Sequence, residues 1–134
     1  MRVLVDSSVW IDFLNGHDSP QKAALVELIS QEADLCTCGF VVTEVFQGLR
    51  RTARLSELEA LFRDLVFLEM AGFESYLEAA ALYRELRQRG ITVRSTIDCL
   101  IALLAHRNDC ALLFRDRDMH HIVESRSLSV KSWL

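Results

Sequence analysis

The sequence predicts an α/β fold, a three-layer α/β/α sandwich around a mainly parallel central sheet. Three observations carry this. Short apolar runs recur, and they are continuous rather than alternating, as in strands buried on both faces. Each run gives way to a stretch with helical apolar spacing, so strands and helices alternate along the chain. Only 1 Pro and 5 Gly occur in 134 residues, which leaves little material for long irregular segments or many tight hairpins.

The first run, Val3-Leu4-Val5, ends at Asp6, and Val9, Trp10, Phe13 and Leu14 then take up helical spacing. After a turn from His17 to Pro20, Ala24, Leu25, Leu28 and Ile29 mark a helix reaching to about Ala33. Leu35 to Cys38 predict a second strand, broken by Gly39. Val41, Val42, Val45, Phe46 and Leu49 predict an amphipathic helix that carries Glu44. Ser56 and Glu59 have capping-box spacing and are expected to open a helix with Leu58, Leu61, Phe62 and Leu65 inward. Val66 to Met70 read as a third strand. Phe73 to Arg89 predict the longest helix, with Leu77, Ala80, Ala81 and Leu86 inward and Gly90 as its stop. Thr96 is expected to cap the next helix, whose inner face is Ile97, Leu100, Ile101 and Leu104. Cys110 to Phe114 predict a fourth strand running into the charged turn Arg115-Asp116-Arg117-Asp118. A short helix over Met119 to Val123 and a last strand over Leu128 to Val130 complete the expectation. No linker or internal repeat interrupts the chain, so residues 1–134 read as a single domain.

Hydrophobic residues make up 51% and charged residues 25%, a globular balance. Asp6 and Asp12 interrupt the first apolar stretch, which therefore does not read as a signal peptide. No apolar run approaches the roughly 20 residues of a membrane span, and a cytoplasmic protein is expected. Cys36, Cys38, Cys99 and Cys110 have neither zinc-ribbon nor redox-pair spacing and read as small buried apolar residues. The formal net charge is −4, which argues against a protein that simply coats nucleic acid. Nearly all cations are Arg, with Lys only at Lys22 and Lys131. Arg favours bidentate phosphate contacts, and its clusters predict local basic patches.

Four carboxylates fall where strands end or helices begin. Asp6 ends the first strand, Glu44 lies early on the helix after the second, Asp98 lies in a first helical turn, and Asp116 follows the fourth strand. In an open parallel sheet these places converge. Clustered carboxylates repel and lose hydration, but they suit a hard divalent cation, Mg2+ or Mn2+, of the kind that activates water for phosphodiester hydrolysis. The bland alternatives are a helix cap for Asp6, a dipole partner for Asp98, a surface residue for Glu44 and a turn residue for Asp116. A phosphatase or phosphoacceptor domain would also place an Asp at Asp6. Such proteins want a Lys in mid-chain or near the final strands, where none fits, and the phosphatase wants a second Asp where Ser8 stands. His106, His120 and His121 read as surface or helix-end residues.

The ordered set Val3-Leu4-Val5-Asp6-Ser7-Ser8-Val9-Trp10, Val42-Thr43-Glu44-Val45-Phe46, Thr96-Ile97-Asp98-Cys99-Leu100-Ile101 and Leu113-Phe114-Arg115-Asp116-Arg117-Asp118-Met119 resembles that of PIN-domain ribonucleases, in particular VapC-type toxins of bacterial toxin–antitoxin pairs. The resemblance spans essentially the whole chain and implies a PIN-like sandwich and a Mg2+- or Mn2+-dependent endoribonuclease. It implies metal-binding acids at Asp6, Glu44, Asp98 and Asp116, with Ser7 and Thr96 in support. Phe114 and Met119 depart from the family pattern of Thr or Ser and Phe at those places, which leaves Asp118 as an alternative or auxiliary ligand. A PIN fold kept only as a protein-binding module is the rival reading.

RNA on an acidic protein needs local cations, and Arg50, Arg51, Arg94, Arg115 and Arg117 lie near the acidic motifs in sequence. The resemblance also implies a VapB-like antitoxin partner and a homodimer. Independently, the helix with Val41, Val42, Val45, Phe46 and Leu49 and the one with Leu55, Leu58, Leu61, Phe62 and Leu65 can form an apolar clamp for an amphipathic helix, the alternative being that both stripes pack on the sheet.

Overall fold

The computed structural model describes residues 1–49, 54–125 and 128–134. Four strands, β1 (Val3–Val5), β2 (Leu35–Cys38), β3 (Val66–Leu68) and β4 (Ala111–Leu113), form a parallel sheet in the order β3-β2-β1-β4. Val3 pairs with Leu35 on one side and with Ala111 on the other. β1 is therefore central, and all three of its residues are fully buried. Apolar side chains on both faces give the sequence its continuous hydrophobic runs.

The helices are α1 (Ser7–Asn15), α2 (Pro20–Ser30), α3 (Gly39–Gln47), α4 (Leu55–Arg63), α5 (Phe73–Gln88), α6 (Thr96–Arg107) and α7 (Arg117–Val123). α1 packs on α2 and α3, while α6 packs on α5 and α7. With right-handed crossovers this separates the two helical layers of the sandwich. Local chemistry sets several boundaries. Gly16 ends α1 in the left-handed region at φ 70. Ser19 caps α2 by accepting from the Lys22 N–H at 3.0 Å, with Pro20 in the first turn. α6 is buried on most sides, through Cys99, Ile101, Ala102, Leu103, Leu104 and Ala105.

Some sequence expectations shift. α4 starts one residue before Ser56, with Arg54 as its cap residue and no side-chain capping bond. The expected capping box does not form, because Ser56 lies inside the helix rather than at its cap position. On α5 the buried residues are Ser75, Ala79, Leu82 and Leu86, while Leu77, Ala80 and Ala81, expected inward, are exposed. A run of small apolar residues from Ala79 to Leu82 made two faces equally apolar in sequence. No strand forms over Leu128 to Val130. The chain meets the sheet further on, through a single parallel bridge between Leu112 and Ser132.

All four cysteines are buried and free. Burial pushes the Cys36 thiol up to about 12, so it packs as a protonated apolar group. His106 accepts the Ser129 N–H at 3.0 Å, and His120 pairs with Glu124 on the surface of α7. No described helix is long and apolar enough to cross a membrane.

Because Leu4 fills the centre of the sheet with no exposure, Leu4→Ala is expected to lower stability by about 2–5 kcal/mol, read as the shift of the urea midpoint at unchanged slope.

Candidate active site

The strand order reverses direction between β1 and β4, and this is where a doubly wound sheet opens a crevice at its carboxyl edge. Asp6 is the residue after β1, and its backbone N–H donates to the Leu113 carbonyl at 2.9 Å, fixing it against the end of β4. Asp116 lies just past β4, at the cap position of α7, with no side-chain capping bond. Glu44 comes in from α3 and Asp98 from the first turn of α6. The four acids line one cleft of about 510 Å³ together with Ser7, Ser8, Ile11, Ser95, Arg115 and Arg117.

The hydrogen bonds inside the cleft orient the acids. Ser7 Oγ donates to Glu44 Oε1 at 3.0 Å, and Ser8 Oγ donates to Asp6 Oδ2 at 2.9 Å. The other Asp6 oxygen, Oδ1, is buried with no hydrogen-bond partner among the described residues. A buried carboxylate oxygen without a donor is costly. Burial, followed by repulsion from Glu44 and Asp116, pushes the Asp6 carboxyl up to about 6, against the opposing bonds from Ser8 and the Ser7 backbone. Asp98 is also raised, chiefly by burial and then by the charge of Asp6 and its closeness to Asp116.

Oxygen atoms of Asp98, Asp116 and Asp118 lie within 4.8 Å of one another. A carboxylate donor set of this kind, in the cleft that Asp6 also lines with one unpartnered buried oxygen, fits a hard divalent cation. Asp118 is less available than the others. Its Oδ2 already accepts the Arg94 N–H at 3.0 Å, and it does not line the cleft.

The remaining expected site residues separate. Arg115 and Arg117 line the cleft, whereas Arg94 is exposed and bonds to Asp118 only through its backbone. Arg50 and Arg51 lie outside the described residues. Thr96 is exposed and faces a groove between α5 and α6, and it is Ser95 that lines the acidic cleft. The turn into α6 carries two adjacent hydroxyls, and their order along the sequence does not say which faces inward. Sequence reasoning also passed over Ser8, whose role follows from its place one step beyond Ser7 at the start of α1, and Asp12, which is paired with Arg115.

The family description of the PIN domain matches residues 3–124. VapC ribonuclease Mb1587 of Mycobacterium bovis and ribonuclease VapC11 of Mycobacterium tuberculosis are each 31% identical to the chain over 132 residues, covering 98% of both partners. The chain belongs to the PIN-domain family, among the VapC proteins. Its fold is shared with VapBC2 of Rickettsia felis, solved bound to a promoter DNA fragment, at TM-score 0.72 and 17% identity over the whole of both chains. It is also shared with FitAcB of Neisseria gonorrhoeae, at TM-score 0.64 and 15% identity over 97% of this chain and 96% of that one.

The raised Asp6 carboxyl has a consequence for the metal-free protein. Between the ordinary value of 3.8 and about 6 the folded chain holds more protons than the unfolded chain. Stability therefore falls as pH rises through that window. Asp6→Asn is expected to raise metal-free stability, by at most about 3 kcal/mol, and to flatten its decline between pH 4 and pH 7 in calorimetric scans with EDTA. An unchanged pH dependence of melting temperature in Asp6→Asn would contradict the burial of a charged Asp6.

Proposed function

We propose that the chain is a Mg2+- or Mn2+-dependent endoribonuclease, the toxin of a VapBC-type pair, with Asp6, Glu44, Asp98 and Asp116 as its acidic centre. The observation that supports this best is the buried, unpartnered Asp6 oxygen in a cleft of carboxylates, in a relative of the VapC ribonucleases. A divalent ion bound there would supply the charge that eases ionisation of an attacking water and offsets charge developing on the phosphate.

The chain's own residues prepare that chemistry. Asp6 and Asp98 line the same cleft, and Glu44 is held in place by Ser7. Ser8 holds Asp6 through Oδ2, which leaves Oδ1 without a hydrogen-bond partner and would let it serve a bound ion. Asp116 lies on the exposed rim, where it can turn without breaking a capping bond. Arg115 and Arg117 on the same rim offer cations to the RNA backbone and offset its repulsion by the acids. With Asp6 and Asp98 both raised, loading of the ion should strengthen with pH as their protons leave.

The partner reading rests on a second cleft. Val42, Phe46, Glu59, Phe62, Arg63, Leu65 and Phe67 line a mostly apolar groove between α3, α4 and the edge strand β3. Phe67 is half exposed there at 53%. We assign this groove to an amphipathic helix of a VapB-like antitoxin. The proposal includes a homodimer, for which the exposed Phe73, Tyr76 and Leu77 on α5 offer an apolar face.

Cleavage of a mixed RNA substrate should require Mg2+ or Mn2+ and stop in EDTA, and Asp6→Asn should lower the rate at least about a thousandfold with the circular dichroism spectrum unchanged. Full activity of Asp6→Asn in EDTA would refute the metal mechanism. For the partner, Phe67→Asp should abolish copurification of the co-expressed neighbouring gene product and leave RNA cleavage intact. Copurification unaffected by Phe67→Asp would move the partner to another face.

A further inference from the structure

We propose that Asp12 is a positioning residue that fixes Arg115 as a phosphate anchor for single-stranded RNA, on the ridge between the acidic cleft and a second cleft beside it. The identity of the polyanion rests on the nuclease reading; the fixed cation rests on geometry. Asp12 is buried near the end of α1, far in sequence from the turn after β4. Arg115 reaches it with two N–H groups, Nε at 2.7 Å from Oδ2 and Nη2 at 3.2 Å from Oδ1. Ser19, the cap of α2, donates a further bond to Oδ2 at 3.3 Å.

The pair is asymmetric. The Asp12 side chain is 6% exposed and that of Arg115 is 52% exposed. A guanidinium carries five N–H donors, so the fork onto Asp12 leaves three for another acceptor on the open side. The second cleft, of about 380 Å³, shares Arg115, Asp116 and Arg117 with the acidic one and adds Gln21, Phe114, His120 and Ser132. The acids Asp6, Glu44 and Asp98 face only the first cleft. A strand whose cut phosphodiester sits over those acids therefore meets Arg115 as it leaves toward the second cleft. Holding the long side chain beforehand removes the ordering cost of a free arginine, and a planar fork suits a phosphate.

The test uses the Asp6→Asn protein, which should bind RNA without cutting it, and a labelled single-stranded oligoribonucleotide read by fluorescence anisotropy in Mg2+. Arg115→Ala is expected to weaken binding about tenfold and to lower the slope of log affinity on log salt by about 0.7. Asp12→Asn should weaken binding several-fold, and the double variant should be no weaker than Arg115→Ala alone. Should Asp12→Asn fail to fold, Arg115→Lys takes its place. It keeps the charge, loses the fork, and should also bind more weakly than the parent. Tighter binding by Asp12→Asn would make Asp12 a mere countercharge and overturn the proposal. Parent-like binding by Arg115→Ala or Arg115→Lys, or no RNA binding by the parent, would overturn it too. Cleavage by the wild-type chain decides the nuclease reading separately, since an intact anchor on a protein that cuts nothing would refute only that reading.

Discussion

The constraint on which the site depends is the burial of Asp6 at the carboxyl end of the central strand. The two ladders of β1, to β2 and to β4, fix the backbone that delivers it, and the bond from its N–H to Leu113 closes the exit. The side chain cannot swing out to solvent without pulling on the most buried part of the sheet. Its charge is therefore held in a poor environment, with Glu44 and Asp116 adding repulsion. A fold optimised only for stability would put an apolar residue here, since isosteric hydrophobic replacements of buried charges are often neutral or stabilising. Retention of an unsatisfied carboxylate is the kind of local inconsistency expected at a functional site.

The serines moderate that cost and give it direction. Ser7 and Ser8 are consecutive residues at the start of α1, and each donates to a different acid, Glu44 and Asp6 respectively. Neither bonds the helix N-terminus, and α1 begins without a side-chain cap. A residue type that normally stabilises a helix start is here turned toward the cleft. The same exchange is visible at α7, where Asp116 occupies the cap position and caps nothing. Capping worth about 1 kcal/mol at each helix is forgone, and the carboxylates at both cap positions line the cleft instead.

Much of this was legible in the sequence, and the reasons differ by level. The strands showed because both faces of a parallel sheet are apolar, and the four acids showed because strand ends and first helical turns converge in this topology. What stayed hidden was set by tertiary contact. The face of α5 could not be read through Ala79, Ala80 and Ala81, which are equally at home on either side. Ser95 and Thr96 are chemically similar neighbours, and only the angle at which α6 enters decides which lines the acidic cleft. Ser56 and Glu59 had the right spacing for a cap, but the helix starts one residue earlier and takes Ser56 inside it. The pairing of Asp12 with Arg115 joins residues 103 positions apart, and no periodicity reports a contact of that range.

Helix α3 joins the two clefts. Glu44 lies between Val42 and Phe46, two residues from each, so at 3.6 residues per turn it projects from the opposite side of the helix. Glu44 accordingly lines the acidic cleft while Val42 and Phe46 line the apolar groove. In the proposed complex, a helix seated in the groove would pack on the back of the element that presents Glu44. It cannot touch the acids from there. To inhibit, it must either shift α3 or continue as an extended segment over the rim into the acidic cleft. A shift of α3 is opposed by the buried Val41 and Val45, which lock it to the core. An extended segment continuing from the proposed helix past α3 would enter a cleft that carries four acids against Arg115 and Arg117. A cationic side chain there could pair with the acids as the divalent ion would. Because groove and acids lie on opposite sides of α3, a partner confined to the groove would leave the acidic cleft open.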